Sequence, residues 1–200
     1  MRRATTMKLR TILLAALATP LLAGCISIGG GGKPPKALMS LTPAAHAPAG
    51  AGVSAPLASG LLVTEPDTDR VLALPRVPVQ VDDTHLAYLK DAQWVERPAR
   101  LFRALLAETI RAQGKRLVFE ETEPLARDVL GGKLLAMGYD ARTRAVTVRY
   151  DAMRERPGQP VATRRFEASV AGVPAQADAV AAALNQAANK VAADVADWVS

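Results

Sequence analysis

The chain has 200 residues, half of them hydrophobic, with 25 basic and 19 acidic residues and a formal charge of +6. This length suits one domain, and the apolar half suffices for a packed core. Four of the basic residues and no acidic residue lie in the first 24 positions, so the rest of the chain has 21 basic and 19 acidic residues, a net charge of +2. So small a surplus, without a helix-turn-helix or RNP-like motif, excludes a strongly basic nucleic-acid-binding domain.

The amino-terminal stretch has the pattern of a secretory signal. Its first ten residues hold four basic side chains, and residues 12–22 are almost wholly apolar. This apolar run is about half of the ~20 residues that a membrane-spanning helix needs, so it predicts a cleaved signal and not a permanent span. Met1 and Met7 are both possible starts, because Lys8 and Arg10 alone would still supply a positive region.

The signal ends in Leu22-Ala23-Gly24-Cys25, which resembles the lipobox of bacterial lipoproteins. The resemblance implies cleavage after Gly24, a diacylglycerol on the thiol of Cys25, and a further acyl chain such as palmitate on the new amino group. Two or more acyl chains give stable anchoring, whereas one does not. The alternative is a cysteine that happens to lie near an ordinary cleavage site. Ile26 stands where an Asp often retains Gram-negative lipoproteins in the inner membrane, so we expect the periplasmic face of the outer membrane.

Cys25 is the only cysteine, so the secreted domain has no disulfide and depends on its hydrophobic core. Residues 27–36 combine four glycines with a proline pair, a composition typical of a linker. We therefore divide the chain into a signal peptide (1–24), a lipidated tether (25–36) and one domain (37–200).

Alternation and turn residues predict short strands in the first part of the domain. The prolines at 75 and 78 place the third of these strands at a sheet edge or at a bulge. Residues 44–59 are rich in Ala, Pro and Gly, a composition that predicts either an exposed loop or a disordered segment. The strands are expected over residues 37–42, 61–64, 71–81, 85–90 and 117–120.

Two helices are predicted from 3–4 spacing of apolar residues. The first begins near Pro98, which suits a first helical turn, and ends before Gly114, a left-handed cap. The second covers residues 176–199, with a stripe from Val180 to Trp198 that we expect to pack on the sheet.

Three longer strands, over residues 129–139, 145–153 and 161–170, predict an antiparallel meander with one polar face. In the middle strand Val146, Val148 and Tyr150 alternate with polar residues. The expected fold is therefore α+β: an antiparallel sheet with a central helix and a long C-terminal helix packed on one face.

Residues with catalytic or metal-binding potential are few. Asp82 and Asp83 with His85 are the nearest approach to a metal cluster, but a carboxylate pair in a turn is more often turn chemistry. His46 is expected in an exposed loop. No common hydrolase, metalloprotease or P-loop motif occurs. The pattern predicts a non-enzymatic protein without cofactor or metal.

Seven arginines cluster around the meander. They allow two readings: a solvated antiparallel face, which the alternation favours, or a basic face for anionic headgroups or an acidic partner. They are the arginines at positions 142, 144, 149, 154, 156, 164 and 165.

The order of elements resembles the ABC-type transport auxiliary lipoprotein family of PqiC-like proteins. The resemblance rests on Leu41-Thr42-Pro43, on the strand Leu86-Ala87-Tyr88-Leu89 with the entry from Trp94 to Pro98, and on the helix over 101–110. It implies a small α/β domain and partners comprising an Mce/MlaD-domain protein and an ABC permease and ATPase.

The role implied by the resemblance is a non-catalytic auxiliary component that helps move lipids or other hydrophobic compounds between the inner and outer membranes. Alternatives are an outer-membrane assembly or lipid-chaperone lipoprotein unrelated to an ABC system, and a lipid-tethered periplasmic enzyme. The cargo, the partner-binding surface and the oligomeric state are not encoded in any motif.

Overall fold

The computed structural model describes residues 37–120, 123 and 125–200. Within these residues eight strands and two α-helices follow one another in the order β1, β2, β3, β4, α1, β5, β6, β7, β8, α2. Their bounds are β1 Leu61–Val63, β2 Asp67–Thr68, β3 Arg76–Gln80, β4 Leu86–Gln93, α1 Pro98–Ala112, β5 Val118–Phe119, β6 Asp128–Asp140, β7 Ala145–Glu155, β8 Ala162–Val170 and α2 Ala177–Val199.

The eight strands of the described residues form one sheet around β6. On one side β6 pairs with β7 over its whole length, and β7 pairs with β8; both pairings are antiparallel. On its other side β6 pairs in turn with β1, β2 and β3, all in parallel, while β5 pairs with β1 in parallel and β4 pairs with β3 in antiparallel fashion. The predicted meander is confirmed as β6–β7–β8.

The expectation of an antiparallel sheet is wrong for this second half, because the sheet is mixed. The chain leaves β4, crosses through α1 and returns to run along β6 in the direction of the earlier strands. Parallel strands need a crossover connection of this kind, whereas a tight hairpin joins antiparallel neighbours. The α+β class and the two helices are as predicted.

Both helices pack on the same face of the sheet. The ring of Phe102 in α1 contacts the ring of Tyr150 in β7 edge-on, with centroids 5.2 Å apart. The ring of Trp198 in α2 lies 5.7 Å from that of Phe166 in β8. Since Tyr150 and Phe166 are cross-strand partners, they project from one face, and the core lies between that face and the helices.

Several local predictions hold and others do not. Pro98 begins α1, and Gly114 follows it with φ of 67°. Residues 37–42 do not form a strand beyond a single bridge between Met39 and Trp94. The third strand is not at an edge, because β3 lies between β4 and β6. Its prolines are accommodated by a register shift between Arg76 and Pro78, the predicted bulge.

No helix among the described residues has both the length and the apolar character to cross a bilayer.

The close pairing of β6 and β7 requires a glycine at position 132. Gly132 has φ of 132°, and a Cβ there would overlap the carbonyl oxygen of Asp151 on β7. Gly158 in the next turn also has a positive φ, 69°, but a Cβ there would meet nothing within 4 Å.

We therefore predict that Gly132→Ala lowers the free energy of unfolding by about 3 kcal/mol, because a strained φ is added to a backbone clash. Gly158→Ala is the matched control, which retains only the strain of a positive φ and costs about 1 kcal/mol. Urea unfolding of the two variants measures the difference. Equal destabilisation would show that the approach of Asp151 does not constrain the strand pair.

Candidate functional site

The predicted lipidation residue Cys25 lies outside the described residues, so the nearest feature that the structure defines is the segment by which the chain enters the domain. The N–H of Met39 donates to the carbonyl of Gln93 at 2.7 Å, and the N–H of Val95 donates to the carbonyl of Met39 at 2.8 Å. These two bonds place the entry segment, residues 38–47, beside the end of β4.

Two asparagines of α2 then hold the entry segment. The amide oxygen of Asn185 accepts from the N–H of Thr42 at 2.8 Å. Asn189 is bidentate: its Oδ1 accepts from the N–H of Ala44 at 2.7 Å and its Nδ2 donates to the carbonyl of Thr42 at 2.9 Å. Residues four apart lie on one helix face, and a side-chain amide matches a peptide group as both donor and acceptor. We call this pair the asparagine clamp.

The entry segment also reaches α1. The N–H of Ala47 donates to Oε1 of Glu108 at 2.9 Å, and this bond is the main cause that lowers the pKa of Glu108. The second oxygen of Glu108 lies 3.0 Å from Arg111, which also binds Glu120 at 3.0 Å. Both helices therefore contribute side chains that bind the backbone of the entry segment.

A buried ion cluster closes the opposite end of the core. Arg154 of β7 donates to Asp128 of β6 from Nε at 3.0 Å and from Nη2 at 2.8 Å. Arg116, which follows α1, donates to the same carboxylate at 2.6 Å and to the carbonyl of Val199 at 3.0 Å. Cations are favourable at the carboxyl end of a helix, so the cluster stabilises the last turn of α2.

The pKa of Asp128 follows from two opposed effects. Burial raises the pKa of its carboxyl, but the hydrogen bonds from Arg154 and Arg116 outweigh burial and lower the pKa below its ordinary value. The carboxylate is therefore ionised in the fold at neutral pH.

The arginines around the meander lie in different environments in the structure. On the outer face Arg149 pairs with Glu167, and Arg165 pairs with Asp151 at 2.6 Å. Arg154 belongs to the buried cluster instead. These two pairs fit the solvated reading, and Arg142 also pairs with Asp83 and Asp140. Arg144, Arg156 and Arg164 form no ion pair with a carboxylate of the described residues.

The Asp82–His85 turn is built as turn chemistry. Oδ1 of Asp82 accepts from the N–H groups of Thr84 and His85, each at 2.9 Å, and the ring of His85 lies 2.8 Å from the same carboxylate. The bond from Thr84 is the main cause that lowers the pKa of Asp82 to about 2. Asp83 pairs with Arg142.

His46 is exposed, as expected. Across residues 37–120, 123 and 125–200, no group of three metal-binding side chains comes together.

A cleft of about 500 Å³ opens on the outer face where β6 begins and β7 ends. It is wide open, and its walls mix charged, polar and apolar groups. Sites for apolar ligands bury most of the ligand surface. Because this cleft is open, it would remove only part of an acyl chain from water. It is lined by Arg127, Val129, Glu155, Arg156, Pro157, Gln159 and Val161.

The described residues thus form a two-layer α+β domain, a mixed sheet backed by two helices. The model of the ABC-type transport auxiliary lipoprotein component family matches residues 40–196. The chain belongs to this family, as the sequence resemblance predicted. No curated protein sequence matches the chain significantly.

Solved structures agree on the fold. The crystal structure of protein XCC0632 from Xanthomonas campestris, of the DUF330 family, is similar with a TM-score of 0.67 and 20% identity, over 82% of this chain and 94% of that one. A crystal structure of an uncharacterized protein gives 0.63 and 20%, over 72% and 95%. The PelC dodecamer from Paraburkholderia phytofirmans gives only 0.39 and 13%, over 71% and 92%. At these identities the first two similarities concern the fold alone.

We predict that Asp128→Asn lowers the free energy of unfolding at neutral pH by about 3 kcal/mol, because it leaves two buried guanidinium groups without their anion. The effect depends on pH. The ionised carboxylate stabilises the fold above the pKa of an unfolded aspartate, about 4, and this contribution is lost as the pH falls through the lower folded-state pKa. The difference in the free energy of unfolding between the original protein and Asp128→Asn should therefore become smaller in acid. Urea unfolding at a series of pH values measures this difference.

The control for this prediction is Asp151→Asn, which breaks an exposed arginine pair and should change stability little. A gap for Asp128→Asn that stays constant into acid would contradict the assignment of the carboxylate.

We also predict that Asn185→Ala and Asn189→Ala release the entry segment without unfolding the domain. The amide hydrogens of Thr42 and Ala44 lose their acceptors, so they should exchange with deuterium faster while strand amides of β7 keep their rates. Lys190→Ala is the neighbouring control on α2, since Lys190 bonds only to Asp194 of the same helix. Unchanged exchange at Thr42 and Ala44 would show that the clamp does not hold the segment.

Proposed function

We propose that the protein is a lipid-anchored, non-catalytic auxiliary component of an Mce-type ABC transport system. In this role it helps to move lipids or other hydrophobic compounds between the inner and outer membranes. The observation that carries the proposal is the family match over residues 40–196, joined to the lipobox at Leu22–Cys25. The partners that we propose are an Mce/MlaD-domain protein and the ABC permease and ATPase.

The packing of the described domain supports a docking role. The apolar faces of both helices are used against the sheet, where Phe102, Leu106 and Leu184 are fully buried. The interior between helices and sheet is therefore filled with side chains, as in a protein that presents its surface to a partner. The open cleft on the outer face would shield an acyl chain poorly.

The proposed location is the periplasmic face of the outer membrane. Cys25 would carry the acyl chains, with residues 25–36 as the tether and residues 1–24 removed. Ile26 supports the outer membrane, because it is not the aspartate that often retains such proteins in the inner membrane.

We predict that Cys25→Ala abolishes incorporation of radiolabelled palmitate and moves the protein from the membrane to the soluble periplasmic fraction. The reason is that the thiol and the new amino group are the acylation sites. Ile26→Asp should keep the label but shift the protein toward the inner membrane, while Ile26→Ser should change neither. Palmitate labelling that survives Cys25→Ala would refute the anchor.

The transport role is tested by cross-linking in intact cells, followed by affinity purification and mass spectrometry. We expect an Mce-domain protein together with a permease and an ATPase. The matched control is the Cys25→Ala variant, which should capture less because it is no longer held at the membrane. If none of these components is recovered and bound lipid is found on the purified protein, the chaperone alternative replaces the transport role.

A further inference from the structure

An apolar patch surrounds the point where the chain enters the domain. Leu38, Leu74 and Val95 are 53%, 48% and 55% exposed, and the informative feature is that three large aliphatic side chains are exposed on adjacent segments. They lie on three neighbouring segments: Met39 bonds to Gln93 and Val95, and the N–H of Trp94 donates to the carbonyl of Pro75 at 3.0 Å. We call these three side chains the entry patch.

Charges of both signs lie beside the entry patch: Glu96, next to Val95, pairs with Arg100, whereas the cation of Arg76 is available to an anionic surface. The guanidinium of Arg76 lies 4.6 Å from the centre of the Tyr88 ring, and Arg76 forms no ion pair with a carboxylate of the described residues. Tyrosine is enriched where membrane meets water, and each exposed cation is attracted to anionic headgroups. On the outer face of the meander, Arg149 and Arg165 are already paired with Glu167 and Asp151.

The distance to the lipid anchor limits what can cover the entry patch. Twelve residues lead from Cys25 to Ala37, and even a fully extended chain of that length reaches only about 40 Å. The entry patch surrounds the residues by which this tether would join the domain, so an anchor at Cys25 would hold the entry patch close to the bilayer. A tethered contact forms as an intramolecular event at high effective concentration, so three side chains suffice where a free domain would need more.

We propose that Leu38, Leu74 and Val95 insert into the headgroup boundary of the membrane and set the orientation of the domain. This inference rests on the lipid anchor proposed above. With the entry patch on the bilayer, β4 is the edge of the sheet next to the membrane. β8 lies four strand spacings away, about 19 Å across the sheet. The meander and its paired charges then face the periplasm.

The test uses the full-length lipidated protein in vesicles of phosphatidylethanolamine and phosphatidylglycerol. Cys25 is the only native cysteine and would be acylated, so a second cysteine takes a nitroxide label alone. Val95→Cys reports on the entry patch. Val161→Cys is the matched control, because Val161 is the same residue type, 56% exposed, beside β8. We expect the label at position 95 to collide with oxygen dissolved in lipid and to lose collisions with an aqueous nickel complex, whereas the label at 161 should not.

A second arm removes the apolar side chains and keeps the label at position 95. Leu38→Asp with Leu74→Asp should return the label to water. Leu57→Asp with Leu125→Asp alters two other exposed leucines, neither of them on β3 or β4, and should leave the label in lipid. If the label at position 95 stays shielded from the nickel complex in the variant with Leu38→Asp and Leu74→Asp, the role of the entry patch is overturned.

Failure of the orientation and failure of the anchor give different results. If the protein floats with the vesicles but both labels collide with the aqueous nickel complex, the entry patch does not insert. The proposal is then overturned, while the anchor stands. If the protein does not float with the vesicles and carries no palmitate, the anchor fails and the orientation fails with it. If position 95 is shielded in cell envelopes but wet in pure lipid vesicles, a protein covers the entry patch, which also overturns insertion into lipid.

Discussion

The pairing of β6 on both of its edges is the constraint on which the rest of the fold depends. Its thirteen residues, Asp128–Asp140, bond to β7 along one edge, while β1, β2 and β3 share the other edge in succession. These three short strands are brought into one sheet by β6, although β1 also pairs with β5 and β3 also pairs with β4. Gly132 permits the close approach on the β7 side, and Asp128, at the start of β6, connects the strand to the end of α2 through two arginines.

Patterns that repeat within one element were readable from the sequence. The 3–4 spacing identified both helices, and the alternation in residues 145–153 identified the inward face of β7, because the environment of each residue repeats with the period of its own element. The parallel pairing of β1, β2 and β3 with β6 could not be predicted from the sequence. It depends on which strand the chain meets after a crossover of some fifty residues, and no local period encodes that choice.

Side-chain roles that join distant segments were missed for a related reason. Arg154 continues the inward alternation of Val146, Val148 and Tyr150, so its burial could have been inferred had the strand been extended to Glu155. Asn185 and Asn189 carried a weaker signal, a pair of amides four apart beside an apolar stripe. Their partner is the backbone of Thr42 and Ala44, which any residue would present, so the sequence holds no complementary motif.

The asparagine clamp has a mechanical consequence for an anchored chain. A pull on the amino-terminal end of the entry segment acts first on the bonds of Met39 and then on the three bonds from Asn185 and Asn189, all before it reaches β1. The load passes into α2, the longest helix, which is held to the sheet along its length, and not into the short strands that would peel apart one bond at a time. In a chain anchored as proposed, a pull would therefore be borne by α2 and the end of β4 before it reached the short strands β1, β2 and β3.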